Sequence, residues 1–220
     1  MGEETYKPGD RLTNQPTFIV DPIDGTTNFV HAYPYVSISL GFAIDTKPVV
    51  GVVYNPFTKV LYSAVQGKGA FLNQSVPLPL KVDDSARGTG SHGTHTGVAA
   101  QRKLEPLTDL DQALVAIEWG SDRTGHDFEM KLQTFGALAR AKDGGGGMVH
   151  GLRSYGSAAL NLCGVAEGSL DIYWESGCWA WDVCAGMCIL REAGGMVVDG
   201  NPGRWVSILD TNVSVGLFQH

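Results

Sequence analysis

The sequence predicts a layered α/β fold, antiparallel in its first half, and three observations carry that reading. Between Tyr35 and Ile44 the apolar side chains fall on Val36, Ile38, Leu40, Phe42 and Ile44, a period of two that marks a strand with one buried face. From residue 109 onward, runs of helical periodicity alternate with short strand-like runs, as stacked layers of sheet and helix require. At 220 residues and 43% apolar content, the chain can bury a real core as one substantial domain or two small ones.

In chain order, the first element is the apolar run in "TFIVDPIDGTTNF", Thr17 to Phe29. It reads as a buried strand that ends on carboxylates, followed in "DGTTN" by residues that turn the chain and start helices. The strand from Tyr35 continues into "KPVVGVVYNPFTKVLYSAV", two strand-like runs about the turn "NPFT", so residues 35–65 form an antiparallel meander. "GKGAFLN" is too short for a nucleotide loop and reads as a turn into a strand. Ser85 to Gly97, "SARGTGSHGTHTG", has almost nothing to bury and is expected to be an exposed, mobile insertion. Beyond it "ALVAIEW" is strand-like, and Phe128, Leu132, Phe135 and Leu138 mark one face of a helix. "GSAALNLCGVAEG" is a second helix, "SLDIYWE" a strand, "AWDVCAGMCILREAGG" a helix ended by its glycine pair, and "MVVD" the last strand. The expected division is an α+β part over residues 1–84, a flexible insertion over 85–108 and an α/β part over 109–220.

Composition excludes several classes. With 16 basic against 23 acidic side chains, a formal charge of −7, and no Lys/Arg run, neither nucleic acid nor an anionic membrane is expected as a partner. No apolar run reaches the length of a transmembrane helix, and "MGEETYKPGD" is too polar for a signal peptide, so the expectation is a cytoplasmic protein. Cys163, Cys178, Cys184 and Cys188 sit late and unevenly, mostly in apolar helical sequence, and read as reduced structural thiols. His92 and His95 in "HGTH" lack the second pair that a zinc site needs.

The chemistry concentrates where the first strand ends. Side chains alternate along a strand, so acids at i and i+3 such as Asp21 and Asp24 point to opposite faces. They converge only if the strand is interrupted, and Pro22, with no ladder donor and a fixed φ, supplies the interruption. Taken alone this is an Asp-Pro turn with an aspartate cap. Glu3 and Glu4 in "GEET" and Asp182 in "WDV" add acids in apolar or glycine-rich surroundings, each of which alone is a solvated terminal acid or a favourable first-turn charge. Gathered together, carboxylates and the freed Ile23 carbonyl form the hard oxygen set that magnesium prefers, and acids sharing a pocket repel unless cations sit among them. Bound cations would in turn let an acidic protein accept a phosphate.

"GEET", "FIVDPIDGTTNFVH" and "WDVCAGMCILREAGG", in that order, resemble the inositol monophosphatase family, and "VSISLGFAI", "GVVYNPF" and "GKGAFLN" are similar to it too; the likeness runs from Gly2 to about Pro202. The resemblance implies an αβαβα sandwich of the sugar phosphatase type. It also implies Mg2+-dependent hydrolysis of a small phosphorylated polyol, myo-inositol monophosphate, by a water activated at two or three metals with no covalent enzyme intermediate. Lithium sensitivity and a homodimer belong to the same expectation. Residue by residue, Glu3 matches a metal-binding glutamate, Asp21 the aspartate that bridges two metals, Ile23 the carbonyl donor beside it, and Asp24 and Asp182 the ligands of the second metal. Thr26 matches the threonine that orients the attacking water, acting with Glu3 and Asp21. The amides of Gly25, Thr26 and Thr27 match the phosphate cradle. Gly156, Ser157 and Ala158 in "YGSAALN" and Glu175 match the residues around the sugar ring, where Asp24 and Asp182 also meet substrate. Glu175, Gly177 and "NFVH" fit the monophosphatase branch better than the bisphosphate branches; another sugar phosphate or a nucleotide 3'-phosphate is the alternative substrate.

The sequence departs from the family pattern at three places. Family members carry several dozen residues ahead of the Gly-Glu-Glu motif, including covering helices and an aspartate that pairs with the catalytic threonine, and this sequence starts at the motif. The expectation is therefore an incomplete first layer, an exposed apolar face on the meander and a Thr26 without its acidic partner, with binding of metal and phosphate at little or no turnover as the alternative function. "WVSILDTNVSVGLFQH" does not resemble the family's closing strand and helix, and the insertion at 85–97 has no counterpart in compact members. "DPIDGTT" also echoes the nucleophile loop of haloacid-dehalogenase phosphatases, but that chemistry needs acids at i and i+2, and an aspartyl-phosphate intermediate would reveal it.

Overall fold

Six successive runs starting with Thr17–Asp24 (β1) build an antiparallel sheet in chain order: Ser37–Ile44 (β2), Lys47–Asn55 (β3), Val60–Val65 (β4), Ala70–Leu72 (β5) and Val76–Pro77 (β6). The structure is a computed structural model and describes residues 1–80, 107–199 and 213–219. A second sheet takes Leu114–Ile117 (β7), Gly151–Arg153 (β8), Ile172–Cys178 (β9), Gly195–Asp199 (β10) and Val213–Gln219 (β11) in the order β10-β11-β9-β7-β8. There β7 is parallel to β8 and β9, and the other pairs are antiparallel. The helices are Thr26–Val30 (α1), Gly125–Ala139 (α2), Ala158–Glu167 (α3) and Ala180–Glu192 (α4).

The layers run sheet, helix pair, sheet, helix. Helix α4 packs on β1 to β4 and on α3, and α3 reaches β9. Alternation along β7 and β9 divides the second sheet between two neighbours: Ala116 and Tyr173 join the central core with α3 and α4, whereas Val115 and Ile172 meet Leu138 of α2. In α4 every residue from Ala180 to Leu190 except Asp182 is buried. Met187, Ile189 and Leu190, fully buried, each contribute roughly 1.5–3 kcal/mol of burial.

The meander is present, and the apolar face expected to be exposed is exposed, Val36 apart. Val36 is buried, yet Ile38, Leu40 and Ile44 are 37%, 42% and 40% exposed, and the small residues Ser37, Ser39, Gly41 and Ala43 are the buried set. The cause is close approach of α4. A Cβ at Gly51 on the neighbouring strand would lie 2.2 Å from the Ala185 carbonyl oxygen, so this face must be paved with small side chains for backbone to touch backbone. The apolar residues then point away from the helices, where Phe18, 69% exposed, joins them against Phe42.

The expected apolar stripe of α2 also changes at one position. Leu132 is 48% exposed, and Lys131 beside it is buried with its ammonium 2.8 Å from Asp127 and 3.2 Å from the Trp119 carbonyl oxygen. The pair is neutral, which lets a lysine take a core position. A further strand, β11, follows "MVVD" and lies between β10 and β9. All four cysteines are buried free thiols. The insertion at 85–97, with His92 and His95, lies outside the described residues, as does the expected boundary at 84.

Candidate functional site

The first strand does not stop at Pro22. It continues to Asp24 through a bulge: Asp21 pairs with Ser39 and Asp24 with Ser37, so three steps on β1 match two on β2. The extra residue restores the alternation, and acids three apart come to share one face. Both are buried, while Pro22 and Ile23 between them are exposed. The Ile23 amide donates to Asp21 Oδ1 at 2.9 Å, a local bond that holds the bulged carboxylate.

Three other segments converge there. Residues 1–2 run alongside β1, with Val20 N–H donating to the Met1 carbonyl at 3.0 Å and a parallel bridge from Gly2 to Val20. The short 3-10 turn Glu3–Thr5 that follows brings the Glu3 carboxyl against Asp21. Asp182 sits in the first turn of α4, where it accepts the Trp179 amide at 2.7 Å, one half of a capping box. Ser157 caps α3 and donates to Asp24 Oδ2 at 2.5 Å, and the Ala159 amide adds a second bond at 2.9 Å. Gly25, at φ 92, joins β1 to α1 where a Cβ would lie 3.0 Å from the carbonyl oxygens of Gly156 and Tyr35; only glycine combines that left-handed turn with that approach.

The residues matched to metal, phosphate and ring all line one cavity of about 430 Å3, from Glu3 and Asp21 through Ile23, Asp24 and Gly25–Thr27 to Gly156–Ala158, Glu175 and Asp182, whereas Glu4 does not. Carboxylate oxygens of Asp21, Asp24 and Asp182 lie within 4.8 Å of one another. Burial, then the Asp24 charge, pushes Asp21 up to about 7. Burial pushes Asp24 up to about 6 against its hydrogen bonds, and burial followed by Asp24 holds Asp182 well above the carboxylate range. Two like charges about 5 Å apart repel by roughly 3 kcal/mol at an effective dielectric near 20, so three ionised acids need a cation between them. An all-oxygen set of this kind fits a hard divalent ion such as magnesium.

The rest of the cavity lining is also polar. Burial raises Glu175 to about 7 while a hydrogen bond from the Tyr173 hydroxyl opposes it. Thr26 and Thr27 open α1 with exposed side chains, and among the described residues neither hydroxyl is bonded to a carboxylate. Sequence reasoning missed Glu118, Ser154, Asn28 and Arg123, which also line the cavity. A signal existed for Glu118: it ends the apolar run of "ALVAIEW" as Asp21 ends that of "TFIVD".

Comparison with known proteins adds independent findings. The profile of the Inositol monophosphatase family matches residues 1–218, past the end near Pro202 expected from the motifs. Inositol monophosphatase 2 of Saccharomyces cerevisiae is 50% identical over 214 residues, covering 96% of this chain and 64% of that protein. Inositol monophosphatase 1 of Homo sapiens is 38% identical over 205 residues, covering 92% and 63%. The chain thus spans less than two thirds of the length of these relatives. Among solved structures, SaIMPase-II with inositol monophosphate bound superposes with a TM-score of 0.71 at 28% identity, covering 100% of this chain and 70% of that one.

Proposed function

Because this chain belongs to the inositol monophosphatase family, we propose that its cavity hydrolyses a small phosphate monoester with magnesium, myo-inositol monophosphate being the substrate. The observation that carries the proposal is the triad of buried aspartates with oxygens inside 4.8 Å, set in a cavity of about 430 Å3, a size suited to a small polar ligand.

In this reading Asp21, Asp24 and Asp182, with Glu3 and the Ile23 carbonyl, hold magnesium. When bound, magnesium supplies charge neutralisation at the phosphoryl group and acidifies the attacking water. The chain's own residues do the rest. The amides of Gly25, Thr26 and Thr27, at the turn into α1, donate to phosphoryl oxygens. The Thr26 hydroxyl orients the water for in-line attack. Gly156, Ser157 and Ala158 form a wall for the polyol ring, and Glu175 accepts from its hydroxyls. Ser157 also keeps Asp24 in place through its 2.5 Å bond. We place the protein in the cytoplasm as a homodimer; the net charge of −7 favours a small ligand, not nucleic acid, as its partner.

Phosphate release from inositol monophosphates, fructose bisphosphate and adenosine bisphosphate, with and without magnesium, tests the proposal. The expected result is magnesium-dependent release, fastest from an inositol monophosphate. A faster nucleotide or fructose substrate would reassign the substrate, and binding of magnesium and phosphate without release would favour the non-catalytic reading.

A further inference from the structure

Glu118 is the first residue after β7, 5% exposed, with its amide directed at the Trp174 carbonyl oxygen of β9 at 3.4 Å. Its side chain crosses from the end of β7 to the loop that leaves the parallel neighbour β8. Oε1 accepts the successive amides of Tyr155 and Gly156 at 2.6 and 2.9 Å and the Asn161 side-chain amide at 2.8 Å. Oε2 accepts the Ser154 hydroxyl at 2.8 Å. Two consecutive amides aimed at one oxygen form a concave anion seat, made here by Gly156 at φ 82, and Glu118 fills it.

The far side of the same loop is tied to the first sheet. Asn28 donates to the carbonyl oxygens of Tyr155 and Tyr35 at 2.6 and 2.8 Å, and Ser157 donates to Asp24. The loop is therefore held from two sides, and Ser154 to Ala158 line the cavity. Only the Asn28 and Ser157 anchor belongs to the aspartate side of the cavity. Glu118 holds the other end.

We propose that Glu118 is a positioning residue that fixes the Ser154–Ser157 loop as the wall against which the hydroxyl-bearing ring of the substrate is read. This rests on the phosphatase reading above. Its consequence is selective: loss of Glu118 loosens recognition of the ring more than recognition of the phosphoryl group, which the turn into α1 and the aspartates meet on the other wall.

The test compares KM and kcat for inositol monophosphate and for para-nitrophenyl phosphate, which has no hydroxylated ring. Hydrogen bonds to charged groups support an expected rise in KM for inositol monophosphate of about 10- to 100-fold in Glu118→Ala, against about threefold or less for the aryl ester. Glu118→Gln, which keeps an acceptor oxygen for the two amides, should return KM to within about threefold of the parent. Ser154→Ala, which removes one of the four bonds, serves as the milder variant should Glu118→Ala fail to fold, with a selective rise of about threefold. Equal shifts for both substrates, or a lowered Tm with KM unmoved, would overturn the proposal. If the parent protein releases no phosphate from inositol monophosphate, the functional reading fails by itself. Amide exchange then decides the loop claim: Tyr155 and Gly156 should exchange about tenfold faster or more in Glu118→Ala and within about threefold of the parent in Glu118→Gln, and unchanged exchange in Glu118→Ala would overturn it.

Discussion

Phe18-Ile19-Val20 and Val115-Ala116-Ile117 are apolar runs that each end on an acid, Asp21 and Glu118, both buried, yet the two carboxylates have opposite surroundings. Glu118 is met by four donors. Asp21 is met by the Ile23 amide and otherwise by other carboxyls: Glu3 against it, Asp24 and Asp182 within reach. A carboxylate saturated by protein donors fastens the fold, because its desolvation is offset where it stands. One set among its like is costly until a cation arrives. The same residue chemistry thus separates into a clamp and a metal seat by what the chain brings to it.

The largest expected effect comes from removing charge at the seat. Asp21→Asn should lower turnover by about 10³-fold or more, beyond what loss of one transition-state donor costs, and weaken magnesium binding. It should also raise the metal-free Tm by a few degrees, since an amide relieves the repulsion. Phosphate release, calorimetry and a thermal melt read the three effects. Unchanged magnesium affinity would remove Asp21 from the seat, and a lowered metal-free Tm would class it with Glu118.

Next in size is the pH dependence of the metal-free protein. Asp21, Asp24 and Glu175 titrate in the folded chain at about 7, 6 and 7, above the 3.8 and 4.5 of ordinary acids. Between roughly pH 4 and 7 the folded state then binds more protons than the unfolded chain, so stability falls as pH rises through that window. Tm should drop by about 5 °C or more from pH 4.5 to 7.5 without metal, and saturating magnesium should flatten the slope. A metal-free Tm that climbs over this range would contradict the assignment.

The smallest effect is at the wall. Glu175→Gln keeps the shape and the bond to Tyr173 but weakens the acceptor, so KM for inositol monophosphate should rise by about tenfold and more than KM for an aryl phosphate. Equal changes would mean that Glu175 does not read the ring.

Much of this was legible in the residues. The meander, the helices α3 and α4 and the acids of the cavity other than Glu118 follow from periodicity, caps and three spaced motifs. The bulge was not: an i, i+3 pair with a proline admits either an ending strand or an inserted residue, and only pairing with Ser37 and Ser39 decides. The exposed apolar face of β2 was expected, but its buried set was hidden, because large apolar side chains dominate a hydrophobic pattern, whereas Ser37, Ser39, Gly41 and Ala43 are small where α4 lies close. Glu118 escaped notice because its partners lie 36 to 43 positions along the chain; a carboxylate's role depends on donors that only the fold supplies.

The most direct measurement is the count of protons released when magnesium is added at pH 6.5. A cation entering a seat whose acids titrate near neutrality must displace protons, so roughly one proton per chain or a substantial fraction of it should be released, much reduced in Asp21→Asn and retained in Glu118→Gln. Magnesium binding with no proton release, or release undiminished in Asp21→Asn, would contradict the claim that the buried aspartates form the cation seat.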